Sequence, residues 1–339
     1  MLRVVAYTGG DSAPSGRYRV EQYVPYLKDA NIEVTVRPSR AGSFPPVGST
    51  WKRSRWAIRN LIEHLPCATE SRQYDLTFFQ REMFSNAVSF EPFTKRPRVF
   101  DVDDAAWAGR RGGFARRLAR YCDHVICGNR FVAEQFSRWN RNVSVLPTPV
   151  DTQRWVPAEA HPDRPVIGWL GLSYGFRYLQ RIEPALREIL LRHRAARLRI
   201  ISSRIPEFRT LPPDQVEFVP FASQPEPVHF QQVTIGIMPL DDSVVSRGKC
   251  SFKMLQYMAC GLPVVVTPCG MNGEILQEAG VGFGAQTLDQ WVDSLDKLLT
   301  DPDLSARMGQ AGRALVEKSY SVEALAPRLA AVLRNVAGQ

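Results

Sequence analysis

Val264-Val265-Val266, three β-branched residues in a row between Pro263 and Thr267, is one of twelve short β-rich runs that punctuate the chain. Such an uninterrupted run marks a parallel strand covered on both faces. In the first half the candidate strands are Val4–Tyr7, Val34–Val36, Leu76–Phe79, Val99–Asp101, Val125–Cys127 and Val143–Leu146. In the second they are Val166–Leu170, Leu198–Ser202, Val216–Val219, Ile235–Met238, Val264–Thr267 and Val281–Phe283. Between them lie helical patterns, among them Arg19–Ala30, Ser54–Leu65, Phe131–Arg138, Tyr178–Arg192 and Phe252–Ala259. Strands alternating with helices give an α/β fold with parallel sheets, and twelve strands are too many for one comfortable sheet. Periodicity vanishes where prolines cluster between Pro147 and Pro165. The expected architecture is therefore two Rossmann-like doubly wound domains facing a cleft, residues 1–155 and 165–320. The last helix, 321–337, is long enough to return to the first domain. Ligands of such sheets bind beyond the C-terminal ends of the strands, so the loops that follow strands are the place to look.

Hydrophobic content of 44% and a mean hydropathy of −0.22 are those of a globular protein of 339 residues. No apolar run approaches the ~20 residues that span a bilayer, and the N-terminus reads as a strand entering a glycine loop. Six cysteines without CxxC spacing read as reduced thiols, which points to a cytoplasmic protein without zinc. The net charge of +9 lies wholly in residues 1–150, where 23 Lys and Arg face 14 Asp and Glu. Two clusters stand out: Trp51 to Arg59, and Arg110-Arg111 with Arg116, Arg117 and Arg120. Tryptophans mixed with cations suit an anionic membrane surface at the inner face, and they equally suit a solvated helix face. No nucleic-acid motif accompanies the charge.

The segment Arg247–Thr267, RGKCSFKMLQYMACGLPVVVT, carries the densest chemical signal. Its apolar residues from Phe252 suit a short buried helix, stopped by Gly261 and Pro263. No acidic residue occurs between Asp242 and Glu274, while Arg247, Lys249 and Lys253 do. Cations at the positive end of a helix dipole are unfavourable unless an anion binds them, so a phosphate-bearing ligand is the economical explanation.

The order of motifs adds a family. Gly9-Gly10 with Ser15-Gly16-Arg17-Tyr18-Arg19, FDVDDAAW at Phe100–Trp107, VICGN at Val125–Asn129 and LPTPVDTQRW at Leu146–Trp155 fill the first half. IGWLG at Ile167–Gly171, KCSFKMLQYMACGLPVV and MGQAGRALVE around Met308–Glu317 follow. In this order the chain resembles a GT-B glycosyltransferase of the retaining glycosyltransferase family four, the group 1 glycosyltransferases. The resemblance implies a nucleotide-sugar donor, UDP- or GDP-linked, held mainly by the second domain, and an acceptor held by the first. It implies retention of anomeric configuration, front-face attack without a protein nucleophile, no cofactor and no metal.

The same resemblance assigns roles. Lys249, Lys253 and Arg177 would stabilise the leaving diphosphate, helped by Arg247, the Cys250-Ser251 amides, Gly10, Gly171 and Ser173. The family places an Arg and a Lys five apart after its second domain's first strand; here Leu172 holds the first position and Arg177 the second. Of two family glutamates eight apart, Gly248 stands for one and Gln256, a ribose partner, for the other. Where the family has a His after its fourth strand, Asp103 stands, with Asp104 beside it, as base or orienting group for the acceptor hydroxyl. Arg17 and Arg19 could reach an anionic acceptor or a phosphate. A lipid-linked or polysaccharide acceptor suits the basic first domain.

Three plainer readings stand beside these. Asp101, Asp103 and Asp104 could hold Mg²⁺, or could cap a helix and pair with Arg110 or Arg111. Lys253 could pair with a distant carboxylate. The whole chain could be a non-catalytic nucleotide-sugar-binding protein, or a basic membrane- or nucleic-acid-binding protein with a vestigial sugar site.

Overall fold

The computed structural model describes residues 1–10, 14–42, 44–109, 112–160, 162–221 and 226–338. The chain forms two compact units, the first made of Met1–Pro149, Gly248–Cys250 and Val322–Gln339, the second of Val150–Arg247 and Ser251–Ser321. All twelve candidate strands are strands, within a residue or two of the expected bounds.

The first unit is built on β1 (Leu2–Thr8), β2 (Ile32–Pro38), β3 (Leu76–Gln80), β4 (Arg98–Val102), β5 (His124–Cys127) and β6 (Val143–Val145). They pair in the order β2-β1-β3-β4-β5-β6, and every pairing is parallel. Alternation along β1 sends Val4 and Ala6 to one core and Val5 and Tyr7 to the other, as the two-residue strand period requires. The first core is completed by the helix Val322–Ala337, whose Val322, Leu325, Leu329 and Leu333 are buried there. The second is closed by the helix Gly113–Tyr121, through Phe114, Ala115 and Leu118.

The second unit comprises β7 (Val166–Leu170), β8 (Arg197–Ser202), β9 (Val216–Pro220), β10 (Ile235–Met238), β11 (Val264–Val266) and β12 (Gly282–Gly284). Its parallel order is β12-β11-β10-β7-β8-β9, so the winding reverses between β7 and β10. That reversal opens a crevice at the strands' C-terminal ends, framed by the loops after β7 and β10.

Helices depart from the expected bounds where proline intervenes. The pattern over Tyr178–Arg192 breaks into Phe176–Arg181 and Glu183–Arg192, with Pro184 in the first turn of the latter. Close glycine contacts hold the end of the second unit together. A Cβ at Gly309 would stand 2.0 Å from the carbonyl oxygen of Gly261, so the helix Pro302–Leu315 packs there with bare backbone. Four residues on, the Arg313 guanidinium donates to the carbonyls of Ala259 at 2.6 Å and Thr152 at 2.9 Å, and to that of Trp155. The MGQAGRALVE motif is thus a clamp on the end of the helix Phe252–Ala259.

Candidate functional site

In the second unit, the loop after β7 is shaped by Trp169. A Cβ on Gly171 would lie 2.6 Å from its ring, and one on Gly175 2.9 Å, so both glycines make room for the indole. Ser173 opens a short 3-10 turn, and its Oγ accepts a hydrogen bond at 2.8 Å from Arg204, which follows β8. Among the described residues Arg204 has no carboxylate partner. Arg177 is exposed, stacks its guanidinium 4.7 Å over the Tyr178 ring and donates to Tyr178 Oη at 2.7 Å. Tyr178 Oη meets Ser246 Oγ at 3.2 Å, and Ser246 donates to Asp241 Oδ1 at 2.5 Å. Burial raises the Asp241 carboxyl, but hydrogen bonds from Ser243 and Ser246 outweigh it and hold the group below the usual carboxylate range. This chain of contacts joins the two loops that frame the β7–β10 switch point.

The helix Phe252–Ala259 begins at Ser251, which adopts a left-handed conformation with φ of 51°. One turn in, Gln256 is fully buried, and neither its Nε2 nor its Oε1 has a partner among the described residues. Two unpaired amide atoms on one buried side chain are uncommon enough to need an explanation. Lys253 pairs with Glu226 at 3.4 Å and lies 5.6 Å from the centre of the Phe230 ring. The distant carboxylate considered for Lys253 is therefore present. Arg247 makes a two-pronged bond to Asp242 at 2.7 and 2.5 Å. Gly270, with φ of 52°, passes so close that a Cβ would stand 2.6 Å from the Arg247 carbonyl oxygen; Glu274 lies in the first turn of the next helix.

In the first unit the aspartates after β4 divide their work. Asp101 is buried and takes a two-pronged bond from Arg19, with Nε to Oδ2 at 3.0 Å. Arg19 is itself buried and also donates to the Leu146 carbonyl at 2.7 Å. Asp104 is exposed and pairs with Arg81, which leaves the end of β3 with φ of 68°. Asp103, half-buried between them, is pushed up to about 6, first by desolvation and then by the charge of Asp104. The guanidinium partners are thus Arg19 and Arg81; Arg110 and Arg111 lie outside the described residues. Among the described residues no group of three His, Cys, Asp or Glu is placed to hold a metal ion.

Gly248–Cys250 groups with this unit. Cys250 donates its thiol proton to the Asp103 carbonyl at 2.8 Å, and Asn129 donates to the Lys249 carbonyl at 3.0 Å. Asn129 also caps the helix Arg130–Ser137 by accepting from Val132 N. Gly128 is bare because a Cβ would lie 2.1 Å from Cys250 Sγ. The VICGN motif is therefore the seat of the 248–250 segment. Lys249 itself is half-buried. Gly10, with φ of 71°, could not carry a Cβ, which would fall 2.1 Å from the Ser39 carbonyl oxygen. Arg17 is exposed and stacks on Tyr18.

Sequence reading passed over several groups. Arg81 and Arg204 each follow a strand without a motif around them. Thr8 Oγ1, Ser39 Oγ and Gln80 Nε2 are buried without partners among the described residues, at the C-terminal ends of β1, β2 and β3. That end is where the winding of the first sheet reverses, between β1 and β3.

Comparison with known proteins bears on the fold and on the second unit. Residues 164–301 match the family model of the glycosyl transferases group 1. A stretch of 82 residues is 37% identical to a GDP-mannose-dependent monoacylated alpha-(1-6)-phosphatidylinositol monomannoside mannosyltransferase of Corynebacterium glutamicum. It spans 24% of this chain and only 22% of that protein. Among solved structures, sucrose-phosphate synthase from Thermosynechococcus elongatus superposes with a TM-score of 0.70 at 13% identity, over 99% of both chains. Anabaena Alr3699/HepE, solved in complex with UDP and glucose, gives 0.70 at 14% identity over 99% of this chain and 100% of that one. WaaG, a glycosyltransferase involved in lipopolysaccharide biosynthesis, gives 0.67 at 12%, over 98% and 99%. At these identities the superpositions speak for the fold, and the family model speaks for the second unit. The chain thus has the GT-B fold, and its residues 164–301 match the group 1 glycosyltransferase model.

Proposed function

We propose that the protein is a glycosyltransferase that moves a sugar from a UDP- or GDP-linked donor to an acceptor hydroxyl, with retention of configuration and without a metal ion. The observation that carries this reading is the crevice beyond β7, in the residues matched by the group 1 model, where Arg204 after β8 donates to Ser173 and Arg177 stands exposed on Tyr178 four residues further along the chain. Glycosyl transfer breaks the bond between the sugar C1 and the diphosphate oxygen, and charge builds on that oxygen as it leaves. Fixed cations at that place are worth more in the transition state than in the ground state. Arg204 supplies the cation missing at Leu172. Gln256, in the same unit, offers its unpaired amide to ribose.

The acceptor oxygen forms the new bond to C1, and the departing phosphate takes its proton. Asp103 orients that hydroxyl. With its carboxyl pushed up to about 6, it is ionised at neutral pH and accepts the hydroxyl's hydrogen bond. Arg19, which is tied to Asp101, serves the scaffold of this side instead of the acceptor. The GDP-mannose dependence of the Corynebacterium relative supports a nucleotide-sugar donor, and its phosphatidylinositol mannoside acceptor supports a lipid-linked one.

The test is release of UDP or GDP from a panel of sugar nucleotides, with EDTA and with Mg²⁺. Release from one donor, undiminished by EDTA and slowed by Arg177→Ala, is the expected result. Absence of release from every donor, with nucleotide bound, would favour the non-catalytic binder.

A further inference from the structure

The helix Thr50–His64 is inside out for a helix of a globular domain. The face it turns to the protein is rich in polar contacts, beside the Trp56 ring, which packs on Phe84 with centroids 5.2 Å apart. Trp56 Nε1 donates to the carbonyls of Ala41 at 3.0 Å and Gly42 at 3.2 Å, and Asn60 donates to Gly42 at 3.3 Å. Glu63 accepts from the amide of Ala41 at 3.0 Å, and Asn60 and His64 are the helix's buried residues. The face it turns outward is apolar: Trp51 is 68% exposed, Ile58 59%, Ile62 66%, and Leu65 at the C-cap 63%. At about 100° per residue these four fall within about 40° either side of Trp51, so they form one stripe.

Exposed Arg55, Arg59 and Lys52 run along one edge of that stripe, and Arg55 lies 5.7 Å from the centre of the Trp51 ring. The loop leading into the helix exposes Phe44 and Val47 as well. An amphipathic helix normally buries its apolar stripe. Here hydrogen bonds and packing fix the helix with the stripe facing out, and a contiguous exposed apolar face of this kind marks an interaction surface. Cations bordering apolar side chains, with an aromatic among them, match the boundary between acyl chains and anionic headgroups. The excess of Lys and Arg over residues 1–150 has the same sign. None of the described helices is long and apolar enough to cross a membrane.

We propose that this helix lies in the interface of an anionic lipid bilayer, its stripe of Trp51, Ile58, Ile62 and Leu65 among the acyl chains and Arg55 and Arg59 at the headgroups. The helix starts from the loop after β2, whose Ser39 touches Gly10, so it leaves the sheet at the end where the acceptor loops lie. This deepens the lipid-linked acceptor reading. Vesicle binding needs neither donor nor turnover, however, so failure of one claim leaves the other standing.

The test is co-sedimentation of the full chain with vesicles of phosphatidylcholine alone and with an equimolar mixture of phosphatidylglycerol. Wild type is expected to pellet with the anionic vesicles only, and to be released by salt. The variant Ile58→Asn/Ile62→Asn is expected to lose at least about ten-fold in partitioning while keeping its urea midpoint, since both side chains are solvent-exposed without lipid. Arg55→Gln/Arg59→Gln is expected to flatten the salt dependence. Wild type left in the supernatant, or an apolar-face variant that binds as wild type does, would overturn the proposal. So would light scattering that shows a lipid-free dimer converted to monomer by Ile58→Asn/Ile62→Asn, because a second copy would then cover the stripe.

Discussion

Gly248 lies against Ala105 so closely that a Cβ would stand 2.6 Å from the alanine Cβ and 2.8 Å from its amide nitrogen. A glutamate here, where the resemblance would place one, is therefore excluded by packing as well as absent from the sequence. Gly248→Ala is expected to cost about 1–3 kcal/mol, the usual range for overpacking, and Gly248→Glu more. Urea unfolding monitored by circular dichroism checks this. A Gly248→Glu variant as stable as wild type would show that the 248–250 segment has another resting place.

Arg19 and Asp101 form a buried ion pair, and breaking such a pair leaves one charge uncompensated in the interior. Arg19→Leu is expected to lose about 3–5 kcal/mol of stability while leaving nucleotide affinity unchanged in the fraction that folds. Chemical denaturation alongside nucleotide titration separates the two effects. A variant of normal stability with impaired acceptor use would return Arg19 to the acceptor site.

Asp103 gives a pH signature of definite sign. Its carboxyl binds a proton more tightly in the folded state, up to about 6, than in the unfolded chain, where the ordinary value is 3.8. Stability from this group is thus present below about pH 4 and is lost as pH rises through 6, a difference on the order of 3 kcal/mol. Asp103→Asn removes the penalty. Its urea midpoint is expected to exceed that of wild type at pH 8 and to match it at pH 4. If the carboxylate also orients the acceptor, the rise of wild-type transfer rate through pH 6 disappears in the same variant.

Arg177 after β7 and Arg204 after β8 are exposed cations without a carboxylate salt bridge among the described residues. Arg177→Ala and Arg204→Ala are each expected to weaken nucleoside diphosphate binding about ten- to hundred-fold, the worth of a charge-assisted hydrogen bond. Both residues are exposed, so neither change should move the melting temperature. Equal affinity in Arg204→Ala and wild type would confine Arg204 to its hydrogen bond with Ser173.

The strands were legible because their signal is local. Val166–Leu170 and Ile235–Met238 are read from the sequence to the residue, since each is a short apolar run bounded by breakers. Pro184 and Pro25 split helical patterns that periodicity alone would run through. The site was less legible, because its partners are distant in the chain. Arg19 beside a glycine loop looks like a surface cation until Asp101, 82 residues away, is seen to face it. Lys253 looks poised for phosphate until Glu226 arrives from another helix. Arg204 carries no motif at all, and only the pairing of β7 with β8 brings it to Ser173. The helix Thr50–His64 shows its composition in the sequence but not which face is turned outward.

Gln256 tests the donor site most directly, because its buried amide has no partner among the described residues and so contributes nothing to folding that an isosteric apolar residue could not. The measurement is calorimetric titration of UDP and GDP into wild type and Gln256→Leu, in EDTA and in Mg²⁺, beside urea unfolding of both. The expected result is a variant at least as stable as wild type that binds its nucleotide at least about ten-fold more weakly, with or without Mg²⁺. Equal nucleotide affinity in the two proteins, or binding of neither nucleotide by wild type, would contradict it.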